Sequence, residues 1–260
     1  MLRYRFREGE VLRYQTSQQV TQQAVAPAGR KTDISKVQQR RTFTVTDVQE
    51  DGHAKAAMQF DFVRMECQTD DNDPIVFESS MPTDQVPRQF RSVAKGLSGA
   101  APEFDLQVSG TPLTEDGIED VAESGGACFM IPLPDHAVKV GDYWSSKIAV
   151  KVRLAPGVMR KLNLQRSYRL KQVKDGIADI TFFTSVETPV KSPNVKALLL
   201  QATPKGKIRF DIERGRVLER ELSFDNYVLG AIGPNTMLSA QGRTTEVLLT
   251  DEDEVATLTN

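Results

Sequence analysis

Arg41 and Arg166 occupy matching places in two stretches of alternating sequence, RTFTVTDVQEDGHAKAAMQFDF over 41–62 and RSYRLKQVKDGIADITFFTSV over 166–186. Side chains in a strand alternate sides, so Arg41 shares a face with Phe43 and Val45, and Arg166 with Tyr168 and Leu170. A charge on an apolar face is costly unless it is paired. Two uses follow. Each arginine can lie at a sheet margin beside a carboxylate, or it can face a concavity and take an anionic head group through bidentate hydrogen bonds. Phe60 and Phe62, read on one face with Ala54, Ala56 and Met58, would line that concavity together with Phe182 and the sole tryptophan, Trp144. The alternative for all four aromatics is core, with the Trp144 indole N–H bonded to backbone.

Other chemistry is sparse. His53 and His136 stand in no His-x-x-x-His or His-x-Glu pattern. Gly96-Leu97-Ser98-Gly99-Ala100 lacks the spacing of a nucleophile elbow, and no glycine-rich loop opens a helix. Asp70-Asp71-Asn72-Asp73 suggests calcium but has neither the loop glycine nor the closing glutamate of an EF-hand. The expectation is a protein without catalytic residues, metal or cofactor, although a carboxylate pair drawn from distant strands escapes such a search. Cys67 and Cys128, both beside apolar residues and outside any C-x-x-C, read as buried thiols, with a disulfide left open.

The chain has 33 basic and 35 acidic residues, a formal charge of -2. That sum supplies no global field for nucleic acid and leaves room only for a local patch. No run approaches the ~18 apolar residues of a membrane span. No signal peptide follows Met1, which reads as cytoplasmic, or as export if Met1 replaces a removed signal.

The elements that must position the arginines are two hairpins turning at Asp51-Gly52 and Asp175-Gly176. Leu2–Phe6 reads as a first strand. Helical spacing covers Thr83–Leu97, through Val86, Phe90, Val93 and Leu97, and a shorter helix is expected over Asn194–Ala202. Each is followed by a strand pair turning at glycine. An acidic linker, Thr114–Gly126, separates the halves, and Asp251–Glu254 reads as a solvated tail. The chain thus reads as α+β, mostly β: two tandem copies, 1–126 and 127–260, of a curved, half-barrel-like antiparallel sheet with one short helix each. The copies can be related subdomains or parts of one pseudo-symmetric sheet.

Ile131-Pro132-Leu133-Pro134 followed by Val140-Gly141-Asp142-Tyr143-Trp144 resembles an uncharacterised family of duplicated bacterial β-rich proteins, with many secreted and lipoprotein members, notably in planctomycetes. A more distant likeness is to periplasmic lipoprotein carriers, in which a curved sheet with helices on its concave side holds acyl chains. The resemblance implies a non-catalytic module that binds an amphiphilic or lipid-like small molecule. The alternative is a structural protein whose sheet edges or faces contact protein partners. Nucleic acid is not an expected partner, and the oligomeric state stays open.

Overall fold

The structure is a computed structural model that describes residues 1–99, 102–110, 130–155 and 157–250. Cys128, the linker and the acidic tail lie outside these. The described chain is mostly β. Its strands are β1 (Val11–Ala26), β2 (Gly29–Val48), β3 (Ala54–Thr69), β4 (Ile75–Glu78), β5 (Glu103–Leu106), β6 (Tyr143–Ala155), β7 (Val158–Lys174), β8 (Ile177–Val186), β9 (Lys205–Asp211), β10 (Arg216–Leu229) and β11 (Met237–Leu248). They form one open antiparallel sheet in the order β4-β3-β2-β1-β11-β10-β9-β8-β7-β6, with β5 also on β3. The last strand pairs with the first, Tyr14 opposite Leu248 through Val25 opposite Met237. Strands from both halves of the sequence therefore share a single sheet.

The two hairpins carry the same register. Phe43 faces Met58 and Val45 faces Ala56, with a shift between Val45 and Asp47. Tyr168 faces Phe182 and Leu170 faces Ile180, with a shift between Leu170 and Gln172. The Asp175-Gly176 turn takes positive φ at both residues, as a type I′ hairpin turn requires.

One face of the sheet is concave and apolar. At the end holding these turns its core runs from Met58 on β3 to Trp144 on β6, through Phe43, Tyr14, Phe210 and Tyr168. Leu2–Phe6 is not a strand of the sheet. It lies over this core and bridges the two sides: Tyr4 N–H donates to Val108 at 3.0 Å and Arg5 N–H to Gly215 at 3.2 Å. Met130–Leu133 lies beside it, with Leu133 N–H donating to Ser109 at 2.7 Å. In mid-sheet the Phe224 ring covers Gly242, its cross-strand neighbour. A Cβ there would sit 2.4 Å from the ring, so only glycine admits the close approach.

At the opposite end the apolar face divides. Val63, Phe77, Val86 and Phe90 form one cluster, and Val152, Leu162, Val195 and Leu199 another. Each lies under a helix. The first helix is shorter than expected: a 3-10 turn over Arg88–Phe90 leads into α1 (Arg91–Leu97). Pro82 and Pro87 explain the late start, because the residue before a proline is pushed out of the helical region. The stripe survives, with Val86 and Phe90 buried and Val93 and Leu97 packed against them. The second helix, α2 (Pro193–Ala197), carries proline in its first turn and is likewise shorter than the expected Asn194–Ala202.

Two core tyrosines predict alkaline sensitivity. Tyr14 donates to the Val217 carbonyl at 2.8 Å, and Tyr4 accepts from Ile131 N–H at 2.7 Å. Burial, the largest cause, pushes both phenols well above their ordinary value. The unfolded phenols ionise near pH ~10, so this contribution is complete below that pH and falls as pH rises toward the folded values. Each tyrosine adds about 1.4 kcal/mol of lost stability per pH unit above ~10. Denaturant unfolding across that range should show the slope, and Tyr14→Phe should reduce it by about 1.4 kcal/mol per pH unit.

Candidate functional site

The bulge pattern of β3 decides which predicted residues reach the concave face. Arg41 pairs with Phe60, but Arg40 pairs with Phe62, one residue being added to β3 at Asp61. That extra residue reverses the alternation. Val63 turns into the concave side and is buried, and Phe62 turns to the convex side with Arg40. The expected common face of Ala54, Ala56, Met58 and Phe60 therefore ends at Phe60. Phe60 itself packs between the main core and the cluster under α1.

The two arginines have different surroundings. Arg41 is 1% exposed, and its Nη2 lies 2.6 Å from Oε2 of Glu246, also 1% exposed. Thr16 Oγ1 bonds both partners, at 3.3 Å from Arg41 and 3.2 Å from Glu246. Arg220 approaches the other carboxylate oxygen at 3.2 Å. Arg41 on β2, Glu246 on β11 and Arg220 on β10 thus form a buried Arg–Glu–Arg triad across the β1–β11 seam. Sequence reading missed Glu246. The available signal was Thr244, Glu246 and Leu248 alternating on one face of the last strand.

Arg166 is half-buried on β7. Its Nε donates to Thr184 Oγ1 at 3.0 Å and its guanidinium lies 5.1 Å from the centre of the Phe182 ring. Among the described residues no carboxylate reaches it. Ser146, Arg166 and Thr184 face one another across β6, β7 and β8 as a polar row. The next row is aromatic, with Trp144 stacked on Tyr168 at 5.4 Å and Tyr168 tilted against Phe182 at 6.0 Å. Trp144 and Phe182 belong to the filled core, and the Trp144 indole N–H donates to the Pro132 carbonyl at 2.9 Å.

Open space lies elsewhere on the face. A groove of about 410 Å³ runs between α2 with its following turn and the β1–β11 centre of the sheet. Ala197, Leu198, Leu200, Ile232 and Leu238 make its apolar walls, and Gln22, Lys31 and Asp33 supply a polar side. Lys31 Nζ lies 2.9 Å from Asp33 Oδ2. Hydrogen bonds from Thr69, then from Lys31, hold the Asp33 carboxyl below its ordinary range. None of the six residues proposed from sequence lines this groove. Of the expected helix Asn194–Ala202, the apolar residues Ala197, Leu198 and Leu200 form one wall of the groove.

Asp70 has a local role: its Oδ1 accepts from Thr32 N–H at 2.7 Å and ties the loop to β2. Among the described residues no group of three His, Cys, Asp or Glu gathers as a metal site. Cys67 is a half-exposed free thiol whose pKa is raised chiefly by burial. No helix in the described residues is long and apolar enough to cross a membrane.

Comparison with known proteins fits this geometry at the level of fold. A family of unknown function (DUF6263) matches residues 127–217, a minority of the chain. No curated protein matches. A solved structure described as "lipid-protein interactions in lipovitellin" superposes with a TM-score of 0.58 at 10% identity, over 94% of this chain and 25% of that one. The chain thus spans about a quarter of the length of that relative. DynF, from the dynemicin biosynthesis pathway of Micromonospora chersina, aligns over 96% of this chain and 86% of its own at 7% identity. Its TM-score of 0.23 carries no fold argument.

Proposed function

We propose that the protein is a non-catalytic binding module whose concave face holds an amphiphilic, lipid-like molecule. The observation that carries this reading is the groove beside α2, apolar on its walls and charged along one side. Its volume lies within the ~300–1,000 Å³ of small-molecule sites. The lipovitellin structure that shares the fold is described by its lipid-protein interactions, which supports the same class of ligand. Of the two arginines considered from sequence, Arg166 has no carboxylate partner among the described residues but does not line the groove, where the cation is Lys31. We also read 1–126 and 127–260 as copies of one unit, supported by the common hairpin register.

A fluorescent fatty acid and an uncharged fluorescent alcohol of equal chain length test the reading. Leu198 lines the groove yet is 50% exposed, so Leu198→Glu should leave the unfolding midpoint unchanged. It should weaken both ligands at least about tenfold, or ~1.4 kcal/mol. Lys31→Gln, which removes the cation lining the groove, should weaken the acid more than the alcohol. Wild-type protein that binds neither ligand, or a Leu198→Glu variant that binds like wild type, would overturn the proposal.

A second reading rests on the convex face. Tyr227 and Leu229 are among its most exposed apolar residues, and Leu229 pairs with Met237, which pairs in turn with Val25. Such a patch suits a protein contact. Concentration-dependent sedimentation that disappears in Tyr227→Ser/Leu229→Ser would favour assembly.

A further inference from the structure

We propose that the β6–β7 hairpin docks the protein onto an anionic lipid bilayer, its tip entering the interface and its flanks resting on the head groups. The inference is independent of the groove. It begins from charge distribution: between Asp142 and Asp175 the chain has nine lysines and arginines and no aspartate or glutamate. The near-zero total charge conceals this run.

The fold places the run at an edge. β6 is the last strand of the sheet, and β6 and β7 pair almost to their tip, Arg153 opposite Met159. The hairpin is anchored from below, where Val152 and Leu162 pack on Val195 and Leu199. Beyond that anchor three apolar side chains stand half-exposed. Leu154, Val158 and Met159 are 42%, 50% and 52% exposed.

Lys151, Arg153, Arg160 and Lys161 surround them, all exposed. Among the described residues none of the four has an ion-pair partner. Lys151 even stands directly opposite Lys161. Like charges facing each other across a strand pair repel, which suits a site completed by an external anion.

The vertical order matches a bilayer surface. Strand residues rise ~3.3 Å each, so Lys151 and Lys161 lie about 10 Å behind the tip. Elements lying in an interface bury their apolar side roughly 5–10 Å deep, which would put these cations at the phosphates. A nucleic acid would satisfy the cations but offer Leu154, Val158 and Met159 nothing. The apolar tip therefore decides for lipid.

The test is flotation of the full chain with vesicles of phosphatidylcholine mixed with phosphatidylserine, against pure phosphatidylcholine vesicles and a DNA duplex at the same salt. Wild type should float with the mixed vesicles and much less with the neutral ones. Lys151→Gln/Lys161→Gln should lower partitioning about 25-fold, roughly fivefold for each charge. Leu154→Ser/Met159→Ser keeps every charge and should also reduce flotation, with an unchanged unfolding midpoint because both residues are exposed. No flotation with mixed vesicles overturns the proposal. Equal flotation with neutral vesicles overturns its electrostatic part. Flotation insensitive to the serine pair, with DNA binding equally retained, would replace the bilayer by a general polyanion.

Discussion

Glu246→Gln should destabilise the protein by about 3–5 kcal/mol, the usual cost of breaking a buried ion pair. The carboxylate stands between Arg41 at 2.6 Å and Arg220 at 3.2 Å, and the neutral amide removes the charge that both cations face there. Arg41→Gln should cost less, because Glu246 keeps Arg220. The position in the fold amplifies the effect. The triad spans the seam where β11 joins β1, and that pairing unites strands from opposite ends of the chain. Chemical denaturation of both variants measures the order. A triple replacement by apolar residues of similar volume should recover most of the loss, since it removes the desolvation cost together with the attraction. A loss below about 1 kcal/mol for Glu246→Gln would mean that water reaches the carboxylate.

The hairpins were legible because their information is local. Period-two alternation and an Asp-Gly turn need nothing from the rest of the chain. Phe62 was misplaced because a bulge at Asp61 leaves no composition signal, yet reverses the side of every residue after it. The partner of Arg41 was hidden for a different reason. Glu246 lies 205 positions away and reaches Arg41 only because β11 pairs with β1, a choice of topology. The groove was illegible in the same sense. Its walls come from β1, α2 and the end of the β10–β11 pair, whose meeting no local pattern announces. The basic run of β6 and β7 was fully visible and was lost in the sum.

The two ends of the concave face differ in what they can tolerate. At the hairpin-turn end, strands from β3 to β6 contribute to one continuous core, closed over by Leu2–Phe6 and Met130–Leu133. At the other end the clusters under α1 and α2 are separate and small. Small satellite cores open at lower free energy than the global transition. The groove has α2 and its following turn as one wall, so under the proposed function it can widen without disturbing the main core.

Phe90→Ala tests that division. Phe90 is 4% exposed and stacks on Phe77 at 5.7 Å, in a cluster completed by Val63 and Val86. Truncating a buried phenylalanine costs about 3–5 kcal/mol when the cavity cannot collapse. Here much of the cavity can be relieved by releasing α1 and β4, because among the described residues β4 pairs with β3 alone and runs just from Ile75 to Glu78. The expected result is therefore a split response. Amide exchange should accelerate by about 100-fold or more in α1 and β4, which corresponds to ~2.7 kcal/mol, while the exchange of Phe43, Tyr168 and Phe210 amides in the main core changes little. Uniform acceleration across all strands would show that the cluster under α1 belongs to the global cooperative unit. In that case the division would hold at most for the cluster under α2, on whose side the groove lies.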